Sequence, residues 1–254
     1  MNLENLKINP WDDRRNLLIP GDQVATLDVC LRHFVAVCKS AVQERGKFFV
    51  ALAGGSTPKA LYERLCVSPN AEEIPWESIY LFWGDERSVP KDHEESNYRM
   101  AMDAGFSKMA IPKEQIFRMP AEEKIEENAQ KYEETIKQVL GENPFDLVIL
   151  GMGDDGHTAS LFPQTEALKA QDRLAVANYV PQKETWRMTL TFECINSAHN
   201  IVIYAMGAAK QHTLAEVLTS EEQFDRFPIQ KIGTQAHRAL WIIDESAAAS
   251  LEIE

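Results

Sequence analysis

One glycine-rich segment, residues 150–163 (LGMGDDGHTASLFP), holds two adjacent carboxylates and a histidine. An imidazole titrates close to neutrality when unperturbed, so it can accept a proton and return it within one reaction. A neighbouring carboxylate can fix its tautomer and support its protonated form, and Asp155 is better placed for this than Asp154. The pair His157 and Asp155 is therefore a candidate acid–base site, against the plainer possibility of a structural histidine. Gly151, Gly153 and Gly156 also spell G-x-G-x-x-G, the pattern that cradles dinucleotides after a first strand. Three features oppose that reading. The preceding strand lies mid-chain, and Pro163 would stop any helix after His157 within two turns. Asp172, the nearest acidic candidate further on, sits in a polar stretch. No G-x-S-x-G elbow is present to support an acyl-serine mechanism. No metal-ligand spacing surrounds His157.

Two other loops carry groups suited to an anion. In 53–58 (AGGSTP), Gly54 and Gly55 allow close backbone approach, Thr57 is a plausible helix N-cap and Pro58 suits the first helical position. The N–H groups of Gly55, Ser56 and Thr57 would then face outward at a positive helix end, a site for phosphate or carboxylate, unless the motif is only a tight strand-to-helix turn. In 83–87 (WGDER), three charges follow a buried strand, which is costly unless they pair or meet a ligand. The planar fork of Arg87 matches phosphate; an ion pair with Asp85 or Glu86 is the simpler use. Ser96 and Asn97 open the next helix and offer polar contacts, although Ser96 serves equally as its cap. Lys210 begins a helix after a core strand, where a solvated lysine is common.

Elements that would position these loops alternate along the chain. Helical spacing appears at 22–44, 58–66, 96–104, 121–140 and 207–218. Short apolar runs at 47–53, 79–83, 145–150, 200–205 and 239–244 read as buried strands, and 187–192 alternates like a strand at a sheet edge. Continuous apolar strands between amphipathic helices indicate an α/β fold: a mostly parallel, Rossmann-like sheet with helices on both faces. A small antiparallel edge or subdomain is accommodated at about 175–195, and one domain over 1–254 is expected. In such sheets ligands bind beyond the carboxyl ends of the strands, where all three loops fall.

The formal net charge is −13 at pH 7. An acidic chain is a poor counterion for nucleic acid and is repelled by anionic membranes, so neither is an expected partner. It still allows a locally positive pocket. The stretch 1–15 has no apolar core of a signal peptide, and no window suits a membrane span. Cys30, Cys38, Cys66 and Cys194 form no CxxC pair and read as reduced thiols, so the cytoplasm is the expected compartment. His33, His93, His199, His212 and His237 lack a comparable setting.

Taken together, LAGGSTP (52–58), WGDERSVP (83–90), SNYRMA (96–101), LGMGDDGHTASLFP (150–163), RMTLTF (187–192), the Gly207/Lys210 stretch and LWIIDESAA (240–248) closely resemble the 6-phosphogluconolactonase family. The wider superfamily includes glucosamine-6-phosphate deaminases. Those carry Asp-Glu-Tyr where this chain has Asp85, Glu86 and Arg87, and Asn-Glu-Pro in place of Ser160 to Pro163; both differences favour the lactonase branch. One departure is 180–187 (VPQKETWR), where lactonases usually have Lys-Pro-Pro before the arginine. The resemblance implies hydrolysis of 6-phospho-D-glucono-1,5-lactone in the oxidative pentose phosphate pathway. His157 would activate water without a covalent intermediate, and Asp155 would orient it. Gly54, Gly55, Ser56, Thr57, Arg87, Asn97, Arg187 and Lys210 would bind the substrate and its phosphate. It implies no metal or cofactor, a phosphorylated sugar lactone as the partner, and a monomer or weak oligomer. A deaminase-like enzyme and a non-catalytic sugar-phosphate sensor are the alternatives.

Overall fold

The structure is a computed structural model that describes residues 7–252, so residues 1–6 of the polar amino-terminal stretch, and the outermost ends of the expected 1–254 domain, lie outside the described residues. In chain order the strands are β1 (Asn9–Pro10), β2 (Arg15–Leu18), β3 (Phe48–Leu52), β4 (Ile79–Trp83), β5 (Asp85–Arg87), β6 (Ile116–Phe117), β7 (Leu147–Gly151), β8 (Ala175–Val180), β9 (Thr185–Leu190), β10 (Ile201–Ala205) and β11 (Ala239–Ile243). The α-helices are α1 (Gln23–Arg45), α2 (Ser56–Leu65), α3 (Asn97–Asp103), α4 (Ile125–Leu140), α5 (Phe192–Asn196), α6 (Gln211–Thr219) and α7 (Glu245–Ala248).

Eight strands form the main sheet in the order β1-β2-β11-β10-β7-β3-β4-β6, parallel throughout except for the β1–β2 pair. Every residue of β3 and of β10 is buried, as expected of strands covered on both faces. Helix α1 buries Leu27, Cys30, Leu31, Phe34, Cys38 and Ala41, a stripe at helical spacing, and Phe34 meets Phe48 of β3 edge to face at 5.5 Å. Asp22 caps α1 by accepting from the Ala25 N–H at 2.9 Å, and Gly46 ends it in the left-handed region. From β3 the chain steps one way to β4 and β6, then crosses back to β7, β10 and β11 on the other side. The switch point lies between β3 and β7, where α/β sheets open a ligand crevice.

Strands β5, β9 and β8 form a separate antiparallel sheet in that order, against which α4 packs. The antiparallel unit expected near 175–195 is therefore present. The strand expected over 187–192 is, however, central to this small sheet and not at an edge. Within the Val180 to Arg187 stretch only residues 181–184 connect β8 to β9, with a 3₁₀ turn at Pro181–Lys183 and Glu184 in the left-handed region; Val180 ends β8 and Thr185 to Arg187 already belong to β9.

Several boundaries also differ from expectation. The helix expected from 121 begins at Ile125, because Lys124 takes a left-handed conformation at its start. The helix expected from 207 opens with a 3₁₀ turn at Ala208–Lys210 before α6. Thr57 does not cap α2: the helix already starts at Ser56, with Gly55 at the cap position and no side-chain cap. Gly55 has φ 105°, which a side chain rarely adopts, so the chain can turn into the helix two residues earlier than a Thr57 cap would require. Pro58 consequently occupies the third helical position, where its missing N–H is still harmless.

Candidate active site

The ends of β3, β4 and β7 converge on an open cleft of about 540 Å³. Its wall includes Gly54 and Gly55 after β3, Asp85, Arg87 and Asn97 around β5, and His157 and Thr158 after β7. Of the residues expected from sequence, Gly54, Gly55, Arg87, Asn97 and His157 stand in this wall. The others are not in the wall itself: Asp155 bonds to His157, Ser56 and Thr57 follow Gly55 at the start of α2, Arg187 pairs with Arg87 across β5 and β9, and Lys210 reaches the histidine loop through Asp154.

The loop after β7 is folded by its own short-range contacts. The Gly153 N–H donates to the His157 carbonyl at 2.8 Å, and the Gly156 N–H donates to the Gly153 carbonyl at 3.1 Å. A Cβ on Gly153 would overlap the His157 ring, so only glycine lets the imidazole lie against the turn. No helix follows Gly156, which agrees with rejecting the dinucleotide pattern. His157 Nδ1 lies 2.5 Å from Asp155 Oδ1, and the same oxygen accepts from the His157 backbone N–H at 3.1 Å. Partial burial alone would raise the Asp155 carboxyl, but its bonds and charge attraction to His157 outweigh that and hold it below the ordinary carboxylate range. An ionised carboxylate only accepts, so Nδ1 carries the hydrogen and Nε2 is left as the proton acceptor. The ring stacks on Phe162 with centroids 3.9 Å apart and planes 18° apart. Asp155 at its edge and Phe162 on its face together fix the imidazole. Phe162 went unnoticed in the sequence because an apolar residue two turns from a histidine carries no chemical signal of its own.

Opposite stands a wall of buried charge. Asp85 accepts from the Ser160 hydroxyl at 2.7 Å and from the Asn97 amide at 3.2 Å; that amide also donates to the Asp85 carbonyl at 3.0 Å. Glu86 accepts from the backbone N–H groups of Arg87 (2.8 Å), Asn97 (2.8 Å) and Tyr98 (2.9 Å), and from the Ser96 hydroxyl (3.0 Å). It therefore ties the GDER strand to the start of α3, while Ser96 caps the helix by accepting from Arg99 N–H. Burial pushes the Glu86 carboxyl above its ordinary value; the three N–H donors offset this only in part, and Asp85 nearby adds to it. Neither acid pairs with the Arg87 side chain, which instead donates to the Glu95 carbonyl at 2.6 Å. Asp85, regarded in the sequence only as a partner for Arg87, proves to be a cleft-wall residue.

Arg87 and Arg187 are cross-strand neighbours in the small sheet. Desolvation first, and the charge of Arg87 second, lower the pKa of Arg187. Among the described residues neither arginine has a carboxylate within ion-pair distance. The charges of Asp85, Glu95 and Glu86 offset this in part without forming an ion pair, and a bound anion would relieve the remaining repulsion between the two arginines. Across the cleft, the N–H groups of Gly55, Ser56 and Thr57 at the start of α2 have no acceptor among the described residues. Lys210 is held differently, its Nζ 2.6 Å from Asp154 Oδ1. No group of three or more His, Cys, Asp or Glu that could hold a metal ion occurs among the described residues.

A parallel sheet whose switch-point cleft is lined by His157, held by Asp155, and by Arg87, with Arg187 as its cross-strand neighbour, has the make-up of an α/β enzyme. Comparison with known proteins narrows this. The family described as glucosamine-6-phosphate isomerases/6-phosphogluconolactonase matches residues 21–241, and the chain belongs to that family. A 6-phosphogluconolactonase from Chlamydia pneumoniae is 38% identical, over 92% of this chain and 89% of the relative. One from Synechocystis sp. is 44% identical, over 83% of this chain and 88% of the relative. The crystal structure of 6-phosphogluconolactonase from Thermotoga maritima superposes with a TM-score of 0.77 at 29% identity, covering 90% of this chain and 98% of that one.

Proposed function

We propose that this chain hydrolyses 6-phospho-D-glucono-1,5-lactone to 6-phosphogluconate, the lactonase step of the oxidative pentose phosphate pathway. The observation that carries the reading is a cleft lined by both His157, held by Asp155, and Arg87, whose cross-strand neighbour Arg187 adds a second cation with no carboxylate in ion-pair contact among the described residues. The 6-phosphogluconolactonases among its relatives support the choice of substrate.

In this reading the phosphate sits against Arg87, Arg187, Lys210 and the N–H groups of Gly54, Gly55, Ser56 and Thr57, with Asn97 completing the wall. His157 Nε2 takes a proton from water as the water oxygen bonds to the C1 carbonyl carbon. Loop N–H groups meet the tetrahedral oxyanion. The C1–ring oxygen bond then breaks, and the imidazolium returns its proton to the departing ring oxygen, which becomes a hydroxyl. Asp155 keeps the ring in the tautomer that leaves Nε2 free. No covalent enzyme intermediate is formed, and an ester this activated needs neither metal nor cofactor. The contiguous core supports treating 1–254 as one catalytic unit. No helix among the described residues is long and apolar enough to cross a membrane. We read the enzyme as cytoplasmic, working as a monomer or weak oligomer on a soluble sugar phosphate, with no nucleic-acid or membrane partner.

The test is a lactonase assay on freshly generated 6-phosphogluconolactone with His157→Asn as control, run beside an ammonia-release assay on glucosamine 6-phosphate. Lactone opening above the spontaneous rate that depends on His157 is the expected result. Ammonia release instead would move the chain to the deaminase branch, and binding without turnover would make it a sensor.

A further inference from the structure

Arg87 lines the cleft, Arg187 is its cross-strand neighbour and Lys210 bonds to the histidine loop, and of these three cations Lys210 alone is in an ion pair among the described residues. Arg87 and Arg187 have no carboxylate partner among the described residues, whereas Lys210 Nζ is paired with Asp154 Oδ1 at 2.6 Å. Asp154 lies between Gly153, part of the cleft wall, and Asp155, which holds His157. The Asp154 side chain is 80% exposed, against 26% for that of Lys210. The carboxylate can therefore swing into water at little cost, while the lysine is confined. Solvent-exposed ion pairs of this kind contribute little.

The loop does not depend on that carboxylate for its attachment. The Thr213 hydroxyl of α6 donates to the Asp154 backbone carbonyl at 2.9 Å. Lys210 is itself anchored independently: its N–H donates to the Gly207 carbonyl at 3.0 Å, and the Gly207 N–H donates to both oxygens of buried Asp244. Backbone bonds thus hold both partners in place, and the ion pair is superimposed on a frame that stands without it.

We propose that Asp154 is a built-in competitor for phosphate at Lys210. Its carboxylate neutralises the lysine in the empty enzyme, and a phosphorylated ligand must displace it to complete the three-cation clamp. The device weakens phosphate binding evenly for substrate, product and free phosphate, which keeps the product from lingering. It acts on affinity and leaves proton transfer to His157. The inference rests on the reading that Lys210 contacts the substrate phosphate.

The experiment uses inorganic phosphate as a competitive inhibitor of lactone hydrolysis by the full chain, comparing wild type, Asp154→Asn, Lys210→Ala and the double variant. Asp154→Asn is expected to lower the phosphate Ki and the KM for the lactone together, by about two- to fivefold, the range an exposed ion pair supports. Lys210→Ala is expected to raise the phosphate Ki, and adding Asp154→Asn to it should change nothing further. An unchanged or higher Ki in Asp154→Asn, while Lys210→Ala weakens phosphate, overturns the competitor role and leaves the clamp intact. An unchanged Ki in Lys210→Ala overturns the placement of Lys210 at the phosphate, whatever Asp154 does.

Discussion

The two walls of the cleft solve opposite problems. The loop after β7 keeps its charged groups in contact with solvent: Asp155 is exposed, His157 is half-buried, and both are held by contacts within a few residues. The wall formed by β5 and the start of α3 buries Asp85 and Glu86 and gives their oxygens donors from other elements. Their titration diverges accordingly. Asp155 is held low by its histidine, and Glu86 is pushed up by burial. A group that must exchange protons or meet a ligand needs water and freedom. A group that only positions a backbone can be buried, provided its hydrogen bonds are made.

If this division is right, changes in the exposed wall should cost activity without stability, and changes in the buried wall should do the reverse. The largest effect is expected for His157→Asn. Loss of general acid–base help predicts a fall in kcat of about 10²-fold or more, with an unchanged melting temperature. Near-normal turnover would remove His157 from the mechanism. Glu86→Gln replaces one acceptor oxygen by an NH₂ facing N–H donors, so urea denaturation should show a loss of about 1–3 kcal/mol. A fully stable variant would show that this wall is less constrained than its hydrogen bonds suggest.

Arg87→Ala tests the boundary between the walls. It should raise KM for the phosphorylated lactone about tenfold, as loss of a charge-assisted contact does, and reduce discrimination against unphosphorylated gluconolactone. Undiminished discrimination would refute its phosphate role. Phe162→Leu keeps apolar volume but removes the ring under the imidazole. A drop in kcat of about two- to fivefold, with little change in KM, is the expected signature of looser positioning. Unaltered kcat would leave Asp155 alone as the group that orients His157.

The smallest effect concerns pH. Glu86 binds its proton more tightly in the folded than in the unfolded chain, so its contribution favours folding as pH falls through its raised folded value and fades as pH rises above it. Asp155 works the other way: its contribution is present above the unfolded carboxylate value and is lost only as pH falls through its lowered folded one. Melting temperatures of wild type and Glu86→Gln from neutral to mildly acidic pH should therefore diverge in favour of wild type on acidification. A constant gap would contradict the upward shift of Glu86.

Legibility in the sequence followed the range of the forces involved. Buried strands such as Ile79–Trp83 were readable because a continuous apolar run has few other uses, and α1 was readable because residues such as Leu27, Leu31 and Phe34 recur at helical spacing. Strand β2 was not, since its four residues include Arg15, whose charge is met by Asp12 and by the Val217 carbonyl, the latter a distant partner that no local pattern reveals. The capping role expected of Thr57 failed because the φ of Gly55 decided where α2 begins.

By itself the sequence determined the alternation of elements, the three glycine- and charge-bearing strand ends, and His157 beside Asp155, because spacing along the backbone governs all of these. Tertiary structure alone decided that β3 lies between β7 and β4 so that the three ends share one cleft, and that Arg87 and Arg187 face each other across two strands. It also decided that Lys210 meets Asp154 and not an open site. Strand order and register are set by packing between distant segments, where side chains far apart in the chain compete for the same neighbours, and local spacing does not encode the outcome.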